Sequence, residues 1–478
     1  MYLRSLVRNL ECSIIGDENI EVNGLAYDSR RVKKGDLFFC ISGFSTDGHN
    51  YAASAVENGA AALMVTRNLD LDVPQILVSD DRKAMADIAC EFWGHPSRKL
   101  KTVGVTGTNG KTTTTYMCKS IAEKSGKKVG LIGTIVNMIG DRVLETERTT
   151  PEAPDLQRLI AEMADEGCDI VVMEVSSHSL DLKRVEGIRY NVGIFTNLTQ
   201  DHLDYHKTFE NYRDAKKILF ENADNAVINM DDSYGGYMAE GIGAKVYRCG
   251  IRESADLSAK DIEITPAGAS FDMAVLKDRI HIDLKIPGLF SVYNSLSAAG
   301  AMTALGIPPH FIKEGLETLP SVSGRFEVLD TGNRGYTVIL DYAHTPDSLE
   351  NTLTTVNEFA RGRIITVFGC GGDRDRTKRP IMGEIAGRLS NFSIITSDNP
   401  RTEIPSEIIS QIEEGMKKTG SDYICIENRR EAIRYALENA RKDDIIVLAG
   451  KGHETYQEIN KVKYPFDEKI IVREILES

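Results

Sequence analysis

Short apolar runs alternating with longer amphipathic stretches set the rhythm of this chain. Near the start, Asp36 to Ser42, Ala61 to Val65 and Gln75 to Val78 read as strands, and Arg82 to Trp93 reads as a helix. A second series opens with Thr102-Val103-Gly104-Val105-Thr106, which runs straight into a glycine turn and a helix. It continues with Val129 to Ile132, Asp169 to Glu174, Val192 to Thr196 and Ala226 to Met230. A third follows Gly324-Arg325-Phe326, with strands at Val338 to Asp341, Ile364 to Phe368, Ile394 to Thr396 and Ile445 to Ala449. Strands alternating with helix-like segments are the mark of parallel sheets with crossover helices. The pattern predicts three α/β domains: a small N-terminal one over residues 1–98, a central parallel-sheet one over 99–327, and a doubly wound C-terminal one over 328–478.

The longest stretch free of acidic and basic residues, Ile286 to Ile312, is interrupted by Pro287, Asn294, three serines and Pro308-Pro309. It reads as a buried Ala-rich helix with flanking loops, not a membrane span. At the N-terminus, Arg4, Arg8 and Glu11 fall where a signal peptide would need an apolar core, so the expected location is cytoplasmic.

A chain of 478 residues exceeds one ordinary core, in keeping with several domains. Its 41% hydrophobic and 27% charged residues are the balance of a soluble globular protein. A formal net charge of -14 argues against a nucleic-acid partner, which needs clustered Lys and Arg, but permits a local basic pocket for a small anion. The eight cysteines contain no CxxC pair, so free thiols in a reducing compartment are expected rather than disulfides or zinc.

The strongest chemical signal is Gly107-Thr108-Asn109-Gly110-Lys111-Thr112-Thr113, between a strand and a helix. The glycines let backbone N–H groups turn toward phosphate oxygens, and the helix N-terminus adds partial positive charge. Lys111 can reach the β- and γ-phosphates and the Thr112 hydroxyl can ligate Mg²⁺, which makes the central domain a P-loop ATPase domain. The spacing departs from the usual Walker A pattern, since Val105 rather than glycine stands five residues before Gly110. The bland alternative is a glycine-rich turn without a ligand.

A metal-binding acid is expected on a neighbouring strand, and Glu174 closes the apolar run Asp169 to Glu174. Further on, His202 and His206 have the spacing of two ligands on one helix face. Leu203 stands where a zinc protease needs its glutamate, so that reading is rejected. For His202, an Mg²⁺ or nucleotide role and a hydrogen-bonded structural role both remain open.

Taken in order, GTNGKTT, EVSSH, NLTQDHLDYH, YNSLSAAGA, GRFE, DYAHTPDSL and GCGGDRDRTKRP resemble the motifs of the Mur ligase family, over nearly the whole chain. The resemblance implies an ADP-forming acid–amino-acid ligase of cell-wall synthesis, acting on UDP-N-acetylmuramoyl-L-alanyl-D-glutamate through an acyl phosphate. It implies catalytic roles for Lys111, Glu174, His202 and Lys216. Lys216, by pattern one more lysine on a polar helix, matches the lysine that becomes carbamylated, which would turn a cation into an oxygen ligand. Thr112 and Glu174 would hold one Mg²⁺, and His202 with carbamylated Lys216 a second. Asn294, Arg325 and Asp341 match positions that contact ATP, a split site that implies domain closure.

The same resemblance assigns the UDP-muramoyl dipeptide to Ser29 in Tyr27-Asp28-Ser29-Arg30, to Phe44, Ser45 and Thr46, and to Thr149, Thr150, Ser176 and Arg184. Leu182 replaces the glutamine that some relatives carry two residues before that arginine. The incoming amino acid falls to Arg374, to Asp398-Asn399-Pro400-Arg401, and to Gly450 and Glu454. DNPR favours meso-diaminopimelate over L-lysine, because Arg401 can pair with the extra carboxylate through two parallel hydrogen bonds. A lysine-adding ligase is the nearest alternative. A folate polyglutamate ligase, a D-alanyl-D-alanine-adding ligase and a P-loop kinase are more distant. Only small-molecule partners, no nucleic acid, no membrane span and a monomeric state are expected.

Overall fold

The computed structural model describes residues 1–477 except 44, 45, 147, 253, 254 and 266. Three sheets follow one another along the chain. The first has five strands in the spatial order Ser13–Ile15, Gln75–Leu77, Ala62–Val65, Asp36–Phe39 and Gly24–Ala26, parallel except for the first. The helix Asp81–Phe92 starts at Asp80, whose side chain accepts the Lys83 N–H at 2.9 Å. It buries Ala84, Met85 and Ile88 against Leu3, Leu6 and Phe39.

The second sheet has eleven strands. At its centre Ala223–Asn229, Tyr190–Phe195, Lys101–Thr106, Ile170–Glu174 and Val129–Ile132 lie parallel and side by side. Both margins turn antiparallel. One carries Asn137–Ile139 and Arg142–Leu144. The other is a meander of Leu257–Thr265, Gly268–Val275 and Asp278–Leu284. The sequence pattern had suggested no strands there. The register shifts between Lys260 and Glu263, where Asp261 takes a left-handed φ of 51°. A bulge of this kind breaks the period-two alternation that makes a strand legible. The uncharged stretch Ile286 to Ile312 holds the buried helix Leu289–Ala304 and the start of a second helix, Pro309–Thr318, which pack with the helix Lys111–Lys124 in the main core.

The third sheet has six strands in the order Glu327–Leu329, Thr337–Asp341, Ile445–Ala449, Ile364–Phe368, Phe392–Ile395 and Tyr423–Cys425, all parallel but the first. Separate apolar clusters cover its two faces, as a doubly wound sheet requires. A hairpin, Tyr456–Ile459 with Val462–Pro465, lies apart from it.

All eight cysteines are free, and six of them are buried. Among the described residues no helix is long and apolar enough to cross a membrane.

Candidate active site

In an open α/β sheet, loops at the carboxyl ends of adjacent strands share one crevice. Here the central strand ends at Thr106, and the register pairs Glu174 with Val105 on one side and Phe195 with Thr106 on the other. The loop 107–110, the carboxylate of Glu174 and the segment from Asn197 therefore emerge together. A cavity of about 600 Å³ opens over them.

The glycine loop is bound in place on every side. Thr108 N–H donates to the Asn197 carbonyl at 2.9 Å, and Asn109 N–H to Asn197 Oδ1 at 2.9 Å. The Thr108 hydroxyl meets Tyr212 Oη at 3.0 Å. Gly110 has a φ of 83°, and a Cβ there would run into the side-chain oxygen of buried Asn294. Lys111 folds back over the loop, donating to the carbonyls of Gly107 at 3.0 Å and Thr108 at 2.8 Å. Burial lowers the Lys111 ammonium from the usual lysine value, with Glu174 and Asp201 opposing.

Glu174 is buried and fully engaged. Its Oε1 accepts from the Thr112 hydroxyl and the Thr134 N–H, both at 2.9 Å, and its Oε2 from the Thr134 hydroxyl at 3.0 Å. Thr134 passes the network to the Thr149 hydroxyl at 3.0 Å. Beside it the Thr150 hydroxyl donates to the Glu174 carbonyl at 2.9 Å and accepts the Ser176 N–H at 3.3 Å. Arg184 reaches the Thr150 carbonyl at 3.3 Å and pairs with Glu152 at 3.0 Å. Leu182 is buried in the apolar core.

Lys216 lies on the helix Phe209–Glu221 with 1% of its surface exposed. Its Nζ donates to the Gly107 carbonyl at 2.8 Å and sits 4.4 Å from the centre of the Tyr212 ring. Desolvation, aided by the nearby charge of Lys111, drives its pKa far below that of a free lysine. His202 caps the short helix Leu203–His206 with a φ of 55°. Its carbonyl accepts the His206 N–H at 3.0 Å, and both rings pack against His178 and Tyr212. His206 Nε2 is held by the Ser177 hydroxyl at 2.9 Å. The His202 ring faces His178 at 4.8 Å and Tyr212 at 6.1 Å, and its Nε2 lies 3.4 Å from Asp201. Burial holds that imidazole well below the usual histidine value.

The third sheet contributes from across the cavity. Arg325 Nη2 donates to the Thr112 hydroxyl at 3.1 Å, and its guanidinium lies over the Tyr342 ring at 4.5 Å. Asp341, at a strand end, accepts the Phe326 N–H at 2.6 Å and the Thr352 hydroxyl at 3.0 Å. Burial raises its carboxyl from the usual range. Asn109 Nδ2 donates to Asp347 at 2.5 Å, which ties the glycine loop to the helix Pro346–Phe359.

Of the predicted site residues, Thr108 to Thr113, Thr149, Glu174, Ser176, His202, Lys216, Asn294, Arg325 and Asp341 line this one cavity. Thr150 and Arg184 stand behind it. Ser29 begins the short 3₁₀ turn Ser29–Arg31, and Thr46 is exposed on the loop after the strand Asp36–Phe39. Phe44 and Ser45 lie outside the described residues. The first sheet is tied to the second by Tyr27 Oη, which donates to Asp155 at 2.5 Å.

The remaining predicted residues gather at the carboxyl ends of the third sheet. Gly450 N–H donates to the Asp341 carbonyl at 3.0 Å, linking this region to the cavity. Gly450 has a φ of 112°, and a Cβ there would crowd Asp398 Oδ2 at 2.8 Å. Arg401 takes a left-handed φ of 52°, strain of a kind that clusters at functional sites. Its Nη1 donates to the Gly372 carbonyl at 2.8 Å, and its Nε lies 3.4 Å from Glu458. Pro400 is buried beside it, and Arg374 is exposed on the facing loop. Asn399 Nδ2 donates to Glu454 at 2.8 Å. Two fully buried cations beside Asp398 and Glu454, Arg429 and Lys451, were not expected from the sequence, where each is simply one more basic residue.

Family profiles cover most of the chain: "Mur ligase family, catalytic domain" matches residues 21–93, "Mur ligase middle domain" 105–302 and "Mur ligase, glutamate ligase domain" 324–452. A UDP-N-acetylmuramoyl-L-alanyl-D-glutamate--2,6-diaminopimelate ligase of Clostridium botulinum is 50% identical over all of both chains. One of Caldanaerobacter subterraneus is 51% identical over 100% of this chain and 99% of its own. A solved structure of a ligase of the same description superposes with a TM-score of 0.71 at 32% identity, covering 100% of this chain and 99% of the other. The fold is shared more widely: MurF from Acinetobacter baumannii superposes with a TM-score of 0.72 at 18% identity, covering 100% and 99%. A P-loop cavity closed by a separate C-terminal α/β unit is the architecture of an ATP-dependent acid–amino-acid ligase. This chain belongs to the Mur ligase family.

Proposed function

We propose that this protein joins meso-diaminopimelate to the D-glutamate of UDP-N-acetylmuramoyl-L-alanyl-D-glutamate, with ATP converted to ADP and phosphate, in peptidoglycan precursor synthesis. One observation carries the reading. Lys111, Thr112, Glu174 and Lys216 converge on a single glycine loop, and Arg325 and Asp341 face it from the far side of the same cavity.

In the first step an oxygen of the glutamate γ-carboxylate attacks the γ-phosphorus of ATP, and the bond to the ADP oxygen breaks. Two anions must approach, so charge compensation decides the rate. The N–H groups of the loop and Lys111 supply it. Lys111 leaves the carbonyls of Gly107 and Thr108 for phosphate oxygens. In the second step the neutral amine of diaminopimelate attacks the acyl carbon, and phosphate departs from the tetrahedral centre. Arg325, Asn294 and Asp341 orient the nucleotide.

The hydroxyl of Thr112 and the carboxylate of Glu174 are the hard oxygen donors that Mg²⁺ prefers, and they would hold it. Mg²⁺ bound there would neutralise phosphate charge. Among the described residues no group of three or more His, Cys, Asp or Glu forms a cage of its own, so the donor set fits an ion shared with the nucleotide. A second ion beside His202 requires an oxygen from Lys216. Burial lowers the Lys216 pKa well below that of a free lysine and so favours the neutral amine, the form that adds CO₂: its lone pair bonds the carbon and its proton leaves. The resulting carbamate would supply that oxygen.

Ser29, Phe44, Ser45 and Thr46 take the uridine end of the acceptor, and Thr149, Thr150, Ser176 and Arg184 its peptide end. Arg374, Asp398, Asn399, Pro400, Arg401, Gly450 and Glu454 form the diaminopimelate site. The division at residues 1–98, 99–327 and 328–478, a cytoplasmic location and a monomeric state belong to the same proposal.

The test is phosphate release with ATP and the UDP-muramoyl dipeptide, comparing meso-diaminopimelate, L-lysine and D-alanyl-D-alanine. Turnover with diaminopimelate is expected. Turnover with lysine alone would overturn the Arg401 argument, and turnover with the dipeptide alone would overturn the assignment.

A further inference from the structure

Lys451 is the centre of a buried polar knot in the third domain. Its side chain has no exposed surface. The Nζ donates to Asn399 Oδ1 at 3.1 Å and to Glu454 Oε2 at 2.9 Å. Asn399 closes the triangle, with Nδ2 donating to the same Glu454 oxygen at 2.8 Å. Asn399 Oδ1 also accepts the Glu458 N–H at 2.9 Å, which brings in the backbone of the hairpin strand Tyr456–Ile459. The Asn399 amide thus spends its oxygen and one N–H on holding the site together. Glu454 spends Oε2, and among the described residues Oε1 accepts no hydrogen bond. The Glu454 side chain keeps 13% of its surface exposed, so that oxygen is the one a ligand can reach.

A lysine ammonium with no water around it is costly to bury unless its partners are fixed. A carboxylate bound through one oxygen by two donors is fixed in turn, with its second oxygen aimed in one direction. We propose that Lys451 is a positioning residue for the amino-acid substrate: by tying down Glu454 Oε2 and Asn399 Oδ1, it presents Glu454 Oε1 to the ammonium of the incoming amino acid. The proposal rests on the diaminopimelate site described above and adds the residue that preorganises it. Preorganisation of this kind acts on binding of the one substrate that Glu454 meets.

The experiment uses the full-length protein and compares Lys451→Met, which keeps the aliphatic stem without the donor, with Lys451→Gln, which keeps a donor without the charge. KM for diaminopimelate, ATP and the UDP-muramoyl dipeptide is measured for each, together with a thermal melt. Lys451→Met should raise KM for diaminopimelate tenfold or more and leave the other two within twofold. Lys451→Gln should recover part of the loss. If Lys451→Met fails to fold, Lys451→Gln carries the test, with an expected rise of at least threefold confined to diaminopimelate. A folded variant with unchanged KM for diaminopimelate would overturn the proposal, as would an equal rise for all three substrates. Failure of the wild type to use diaminopimelate at all would instead overturn the underlying function.

Discussion

Lys216 Nζ donates to the Gly107 carbonyl across 2.8 Å, so a lysine 109 residues further along the chain is anchored to the phosphate loop itself. Its burial beside Lys111 makes a charged ammonium unfavourable there. The position suits a neutral amine or its carbamate, not a salt-bridging cation.

Lys216→Ala should therefore lower kcat by more than about 10²–10³-fold, the scale of losing one preorganised electrostatic group. Added bicarbonate should not restore it, because the nitrogen that captures CO₂ is gone. Steady-state phosphate release with and without bicarbonate checks this. Near-normal turnover in the variant would remove the carbamate from the account.

Lys111→Met keeps the length of the side chain and deletes the donor that the Gly107 and Thr108 carbonyls now occupy. Loss of kcat by about 10²-fold or more is expected, with the thermal melt unchanged or slightly raised, since a buried amine is removed. Fluorescent-nucleotide titration and calorimetry together separate binding from folding.

Arg401→Ala tests amino-acid choice. A bidentate guanidinium–carboxylate pair is worth about 1.5–3 kcal/mol, or roughly 10–150-fold. That loss should fall on kcat/KM for diaminopimelate and leave whatever turnover lysine supports unchanged. Parallel losses for both amino acids would mean that Arg401 only supports its loop through Gly372 and Glu458.

The loops on which Arg374 and Arg401 sit are joined by Glu403. Its carboxylate accepts from fully buried Arg379 at 3.0 and 2.9 Å and from the Asp373 N–H at 2.6 Å. Hydrogen bonds from Arg379 hold it below the usual glutamate range, against some desolvation, with the Asp373 N–H helping. A depressed folded pKa stabilises fully above the unfolded value of about 4.3, and the benefit disappears as pH falls through the folded value. Wild type should therefore melt above Glu403→Gln at pH 7, and the gap should shrink as pH falls below the unfolded value of about 4.3 toward the lower folded one. Melting curves that stay parallel across that range would contradict this.

The phosphate loop was legible because its signal is local: a strand, two glycines and a Lys-Thr pair in seven residues. Glu174 was legible for the same reason, as the last residue of an apolar run. Lys216 was not, because Tyr212-Arg213-Asp214-Ala215-Lys216 reads as a solvated helix face and only the packing of that helix under the loop buries it; the family resemblance supplied it. The place of His202 was not legible, because a left-handed residue opening a four-residue helix leaves no periodic pattern. The meander Leu257–Thr265 to Asp278–Leu284 was hidden by its bulge. Lys451 and Arg429 were invisible, since burial of a cation follows from tertiary partners, Asn399 for Lys451 and Glu468 for Arg429, that lie far away in the sequence.

The central claim is that ATP passes its terminal phosphoryl group to a carboxyl oxygen of the acceptor. The direct measurement labels the D-glutamate γ-carboxylate of the UDP-muramoyl dipeptide with ¹⁸O and analyses the released phosphate by mass spectrometry after turnover with diaminopimelate. The account predicts one carboxylate oxygen in each phosphate formed. Unlabelled phosphate accompanying amide product would mean that no acyl phosphate forms, and would contradict it.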